Sequence, residues 1–179
     1  MLGFIKDIFR KRALKKHSNT LESSLMPLGQ IGSTAVLLDV EDSSYDQCKD
    51  AVNSFFKTLG IKVDIYYIDF RKLGKEELLL TSIQNTILKK ECNWYGVPEQ
   101  GKLEKLTAKD ESRYDLLINL VDFYNFSLEY IIKTSTAKFK IGTLKMDGAP
   151  YDLIISGGAE ETNCLRMFNE IKTYLSKIG

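Results

Sequence analysis

The sequence predicts an α/β domain built on a mostly parallel sheet of about five strands, with helices on both faces and an amphipathic helix ahead of it. Three observations carry this prediction. Residues 34–40, 114–121 and 151–156 are continuous apolar runs, the pattern of strands buried on both faces rather than on one. Residues 34–70 read as strand, helix, strand with a short return, the unit from which parallel sheets are wound. Residues 161–178 place Leu165, Phe168, Ile171, Leu175 and Ile178 at helical spacing, so a helix closes the fold. The expected strand order is 3-2-1-4-5, with 2-1-3-4-5 as the alternative.

In chain order, residues 1–17 form a basic amphipathic helix, because Leu2, Ile5, Ile8 and Phe9 recur at helical spacing while cations take much of the other side. Residues 18–32 contain Pro27, Gly29 and Gly32 among several Ser and Asn residues and read as a linker to a single domain over 33–179. Thr34 to Val40 is the first strand. Ser43 or Ser44 then caps a helix with Cys48, Val52, Phe55, Phe56 and Leu59 on its buried stripe and Gly60 at its end. Lys62 to Phe70 is the second strand. Glu76 to Ile83 reads as a short helix and Thr86 to Cys92 as a strand before the Gly96-Val97-Pro98 turn. A helix from about Ser127 into Thr134 precedes Ala137-Lys-Phe-Lys-Ile-Gly142, and Tyr151 to Ser156 is another buried strand.

Composition limits the function. With 179 residues, 44% hydrophobic and 27% charged, the chain is an ordinary globular one. Lys and Arg number 25 against 24 Asp and Glu, so the net charge of +1 predicts no general attraction to nucleic acid or acidic membranes, and any electrostatic partner is recruited locally. The one local excess lies in Lys6, Arg10, Lys11, Arg12, Lys15 and Lys16, opposed before Ser18 only by Asp7. That helix suits packing across its own domain, docking onto a protein partner or a second copy of the chain, or weak contact with a membrane surface. Cys48, Cys92 and Cys164 are far apart and form no Cys-x-x-Cys pair, which implies reduced thiols, no zinc site and a cytoplasmic location. No run of about 18 apolar residues and no uninterrupted signal-peptide core is present.

Ligands of open α/β sheets bind beyond the carboxyl ends of the strands. There the sequence places Asp39, Glu41 and Asp42 after strand one, Asp69 and Arg71 after strand two, Asn119, Asp122 and Asn125 after the strand at 114–121, and Gly157-Gly158 after the last strand. If Asp39, Asp42, Asp69 and Asp122 converge, their hard oxygens suit magnesium or calcium and a carboxylate pair can exchange protons. The plainer role of such acids is to cap backbone amides. Asp39-Val-Glu-Asp-Ser-Ser44 has no glycine and is acidic, so it is not a phosphate loop. His17 is the only histidine and lies in the basic helix, which removes Ser-His-type triads and paired-His zinc sites. Trp94 and Tyr95 sit beside a turn and are candidates for stacking a base or sugar, or for anchoring the loop.

At Tyr114-Asp-Leu-Leu-Ile-Asn-Leu, Ala137-Lys-Phe-Lys-Ile-Gly142 and Tyr151-Asp-Leu-Ile-Ile, the chain resembles a family of short uncharacterised bacterial proteins, a domain of unknown function. The stretch from Tyr114 to Gly142 is also similar to the N-terminal half of heptosyltransferase-type GT-B glycosyltransferases, through a strand, a helix and an Ala-Lys-x-x-x-Gly turn in that order. That resemblance implies a Rossmann-like half-domain. It transfers no catalytic residue, since the loop after strand one lacks a Gly-Asp element and the length leaves no room for a donor-binding second domain. The residues favour a non-catalytic intracellular binding or interaction protein. The alternative is a carboxylate-dependent, divalent-metal-assisted enzyme acting on a sugar or phosphate compound, and no cofactor is specified.

Overall fold

A computed structural model describes residues 2–15, 26–72, 85–111, 113–143, 151–155 and 163–178. Its centre is a six-stranded, all-parallel sheet: β1 (Ser33–Asp39), β2 (Lys62–Asp69), β3 (Thr86–Leu88), β4 (Leu116–Asn119), β5 (Phe139–Gly142) and β6 (Leu153–Ile154), in the order β3-β2-β1-β4-β5-β6. The expected order therefore extends by one strand, β5, which enters between β4 and the last strand, β6. A count of about five omitted it because Lys138 and Lys140 interrupt the apolar pattern of residues 137–142. The strand expected over 86–92 is also shorter than its sequence suggested. Beyond Leu88 the chain turns into a 3-10 helix over Lys89–Glu91, where the Glu91 carboxylate accepts from the Leu88 amide at 3.0 Å. The helix expected over Glu76–Ile83 lies outside the described residues.

The sheet forms because its strands are apolar on both sides. Val36, Leu38, Leu116 and Ile118 face one core, which α2 (Tyr45–Thr58) and α5 (Cys164–Ile178) cover with Cys48, Val52, Phe56, Phe168, Ile171 and Leu175. Ala35, Leu37 and Leu117 face the other, covered by Leu128, Ile131 and Ile132 of α4 (Phe126–Thr134) and by Leu103 of the short α3 (Gln100–Leu103). Period-two alternation along β1 divides its side chains between the two cores, so sequence that is apolar throughout stays in register. Met26 and Leu28 pack against the first core and Ile31 is buried in it. Gly60, with φ at +70°, ends α2 in the left-handed conformation that favours glycine and turns the chain into β2.

Three charged side chains among the described residues are buried: Asp69, Glu129 and Lys140. Lys140 of β5 is buried and its ammonium donates to the Ile132 and Ser135 carbonyl oxygens at 3.0 and 2.6 Å, satisfying the carboxyl end of α4. Burial pulls its pKa down to about 8.

The N-terminal helix α1 (Leu2–Lys15) lies against α4 and the turn at 93–97. Its orientation reverses the simple amphipathic picture. Arg10 points inward: its Nε donates to the Tyr95 carbonyl at 2.9 Å and its guanidinium sits 4.7 Å from the centre of the Phe126 ring. Phe4 and Ile5 point to solvent. A guanidinium gains a hydrogen bond and an aromatic face in this position, while Phe9 packs on Trp94 and Tyr95 and Ala13 faces Tyr95, Val97 and Leu103. Among the described residues, no helix is long and apolar enough to cross a membrane.

Candidate functional site

At the carboxyl end of β1, the predicted acids separate into different jobs. Asp39 is half-buried, and its Oδ1 accepts from the Glu41 amide at 3.0 Å. Burial pushes its pKa up, and the negative charges of Glu41, Asp42 and Asp122 add to the rise, outweighing the Glu41 hydrogen bond. Those four carboxylates thus share one region. Asp42 is otherwise engaged: its Oδ1 accepts from the Ser44 amide and hydroxyl, both at 2.8 Å, and its Oδ2 accepts from the Cys164 amide at 2.8 Å. Burial alone would raise its pKa, but these hydrogen bonds hold it below the usual carboxylate range.

Ser44 precedes α2 but does not cap it through its side chain. Its Oγ instead accepts from the Leu165 amide at 3.1 Å, while Asn163 Oδ1 accepts from the Arg166 amide at 2.9 Å. The first three amides of α5 are therefore satisfied by Asp42, Ser44 and Asn163, and this helix end is occupied by the protein's own side chains.

Asp69 ends β2, and both its oxygens engage the Arg71 guanidinium, at 2.9 and 2.8 Å. Asn119 ends β4 fully bonded: its Nδ2 donates to the Val121 carbonyl and the Tyr151 hydroxyl, and its Oδ1 accepts from the Val121 amide. Glycine is required at 142 beside this group, because a Cβ there would fall 2.5 Å from the Tyr151 ring. Asn125 caps α4 by accepting from the Ser127 amide at 2.8 Å. Asp122 is exposed. Gly157, Gly158 and His17 lie outside the described residues. Among the described residues, no three His, Cys, Asp or Glu side chains are arranged to hold a metal ion.

Trp94 and Tyr95 belong to a rigid turn. Asn93 Oδ1 accepts from the amides of Tyr95, Gly96 and Val97, at 3.2, 3.0 and 3.0 Å. Gly96 has φ at +99°, and Ser127 donates to its carbonyl at 2.6 Å. Phe9 of α1 closes on the turn, with its ring centre 5.2 Å from Trp94 and 5.7 Å from Tyr95. Tyr95 is thereby an anchor for α1, and Trp94 stays exposed at the rim.

Between this turn, α1 and the start of α4 lies a pocket of 180 Å³. Lys6, Arg10 and Lys89 line it together with Asn93, Asn125 and Trp94, and its lining contains no carboxylate. Among the described residues Lys6 and Lys89 form no ion pair. The acceptor oxygens of Asn93 and Asn125 are occupied by backbone amides, which leaves their NH₂ groups as the donating ends. Cys92 also borders the pocket, with burial pushing its thiol pKa up. The pocket lies past the carboxyl ends of β2, β3 and β4, since Phe70, Lys89 and Asn125 each follow one of these strands. Larger concavities exist elsewhere. One of 650 Å³ runs along α5 with both Arg166 and Glu170, and one of 420 Å³ lies under Ala13 and Tyr95, but neither gathers charge of one sign.

A family model described as a family of unknown function, DUF6913, matches residues 6–178. The chain belongs to the DUF6913 family. The matched span includes most of α1, so in DUF6913 the helix that walls the pocket is part of the family's sequence and not an addition to it. Neither a search of curated proteins nor one of solved structures gave a match.

Proposed function

We propose that this DUF6913 member is a non-catalytic binding protein that holds a small oxyanion, phosphate-like in size and charge, in the pocket formed by Lys6, Arg10 and Lys89. The observation that carries the reading is the gathering of three cations and two amide donors with no carboxylate among the lining residues. Like charges brought together repel, and an anion bound between them reverses that cost. Liquid water occupies about 30 Å³ per molecule, so 180 Å³ accommodates a phosphoryl or sulfate group with a small part of its carrier. The loop after β1 supports no phosphate there, being acidic and without glycine.

Calorimetric titration with inorganic phosphate and pyrophosphate at low salt tests this reading. A hydrogen bond to a charged group contributes about 1.5–3 kcal/mol, so Lys6→Ala and Lys89→Ala are each expected to weaken binding roughly 10-fold to 100-fold. Absence of binding to both anions, or binding that neither substitution changes, refutes it.

The carboxylate-dependent enzyme is a second reading, and the raised pKa of Asp39 beside Glu41, Asp42 and Asp122 favours it. Titration with magnesium, manganese or calcium, abolished in Asp39→Asn, would support it. The likeness of 114–142 to heptosyltransferase-type enzymes bears on the β4-α4-β5 arrangement and assigns no sugar-nucleotide site. The sequence has no Cys-x-x-Cys pair, and Cys48 and Cys164, neighbours in the fold, are both free thiols, which supports a reducing compartment, and we assign the protein to the cytoplasm of a bacterial cell.

A further inference from the structure

The outward side of α1 is apolar at one end and cationic at the other. With 3.6 residues per turn, Phe4, Ile5, Phe9, Lys11, Arg12 and Lys15 fall within one half of the helix circumference. The other half carries Lys6, Arg10, Ala13 and Leu14, of which Lys6, Arg10 and Ala13 line the pockets beneath the helix. Phe4 is 72% exposed, Ile5 41%, Phe9 40% and Trp94 55%. These are four of the seven large hydrophobic side chains exposed among the described residues, and the Phe9–Trp94 ring contact of 5.2 Å joins helix to turn. Elsewhere Leu59, Tyr124 and Ile154 are single exposures on separate elements.

We propose that this face, from Phe4 and Ile5 through Phe9 and Trp94 to Lys11, Arg12 and Lys15, seats the protein on an anionic membrane surface. Charge complementarity selects this occupant. Parallel pairing with its own copy would set the same three cations against one another, and antiparallel pairing would lay each cationic end on the partner's apolar end and leave Lys11, Arg12 and Lys15 without a counter-charge. A bilayer interface takes both ends at once: aromatic and aliphatic side chains enter the headgroup boundary and the cations remain among anionic headgroups. The carboxylate of α1, Asp7, stands 4.0 Å from Arg10, so the acid of the helix is partly compensated by an inward-facing cation. The surface is separate from the pocket's charge set, since neither Lys6 nor Lys89 takes part.

Co-sedimentation of the full chain with mixed phosphatidylcholine and phosphatidylglycerol vesicles, against pure phosphatidylcholine, tests the proposal. Trp94 is the chain's one tryptophan, so its emission reports directly on the contact. Binding to the anionic vesicles at low salt with a blue shift of Trp94 emission is expected, weakening as salt is raised. A cation near an anionic surface contributes about 1 kcal/mol, so combined Lys11→Gln, Arg12→Gln and Lys15→Gln should reduce partitioning by roughly 100-fold. Phe4→Ser with Ile5→Ser should also weaken it, and both variants should melt like the wild type because these side chains are exposed. Lys89→Ala should bind vesicles normally. Equal affinity for neutral vesicles, no binding, wild-type binding by either surface variant, or vesicle-free self-association that Phe4→Ser and Ile5→Ser abolish overturns the proposal. Loss of vesicle binding in Lys89→Ala alone would move the effect into the pocket and overturn it as well.

Discussion

Replacing Asp42 by alanine tests how the β1–α2 loop holds the last helix. The substitution removes the acceptor for the Cys164 amide and two acceptor contacts with Ser44, whose hydroxyl serves the Leu165 amide. Loss of a helix N-cap contributes about 0.5–2 kcal/mol, and leaving a part-buried donor unpaired costs about 1–3 kcal/mol. The two overlap, so a total near 2–3 kcal/mol is expected for Asp42→Ala. For a chain of this length each kcal/mol moves the melting temperature by roughly 2–4 °C, which gives a fall of roughly 5–10 °C. Asp42→Asn keeps one carbonyl-type acceptor and should lose about half as much. Because hydrogen bonding holds the Asp42 pKa below 3.8, its contribution is present above that value and is lost as pH falls through the lowered one. The gap between wild type and Asp42→Ala should therefore close in acid. Circular-dichroism melting at several pH values measures this, and amide exchange should show faster opening at Cys164 and Leu165. An Asp42→Ala protein that melts with the wild type at neutral pH refutes the capping argument.

Two further outcomes follow from buried charges. Asp39→Asn should raise the melting temperature at neutral pH, since the ionised Asp39 is disfavoured by burial and by Glu41, Asp42 and Asp122, while asparagine retains the acceptor for the Glu41 amide. A raised carboxyl pKa means stability is lost as pH rises through it, so the gain should vanish in acid, and a lower melting temperature at neutral pH would contradict this. Lys140 has its pKa pulled from 10.5 to about 8, so between those values the unfolded chain binds more protons and folding stability climbs with pH. Urea titrations of wild type and Lys140→Met should differ by a slope confined to that window, amounting to roughly 3 kcal/mol across it, and parallel profiles would exclude the buried ammonium as its source.

Much of the sheet was legible because β1, β2 and β4 sit at its centre and are apolar on both faces. Strand order followed from the strand-helix-strand spacing of 34–70. The edges were harder: Thr86–Leu88 is cut short by Lys89 and Lys90, and nothing in Leu153–Ile154 distinguishes two ladder residues from the apolar run around them. At the site, acids and asparagines at strand ends were conspicuous in sequence, yet their hydrogen bonds depend on partners as distant as Cys164 and Tyr151. Lys6, Arg10, Lys89 and Asn93 escaped notice as one group because tertiary packing alone brings residue 6 next to residue 89. The basic run in α1 was visible, but no periodicity revealed that Arg10 faces inward.

The sheet tapers toward both margins. β1 and β2 span seven and eight residues, whereas β3 has three and β6 two. A parallel sheet with long open margins offers rows of unpaired amides and carbonyls to any passing strand, and such rows template fibrils. β3 and β6 themselves present only three and two ladder positions, so a foreign strand gains few hydrogen bonds on either of them. The shortness of these two marginal strands thus limits strand addition on them, without a proline or a lysine inside either.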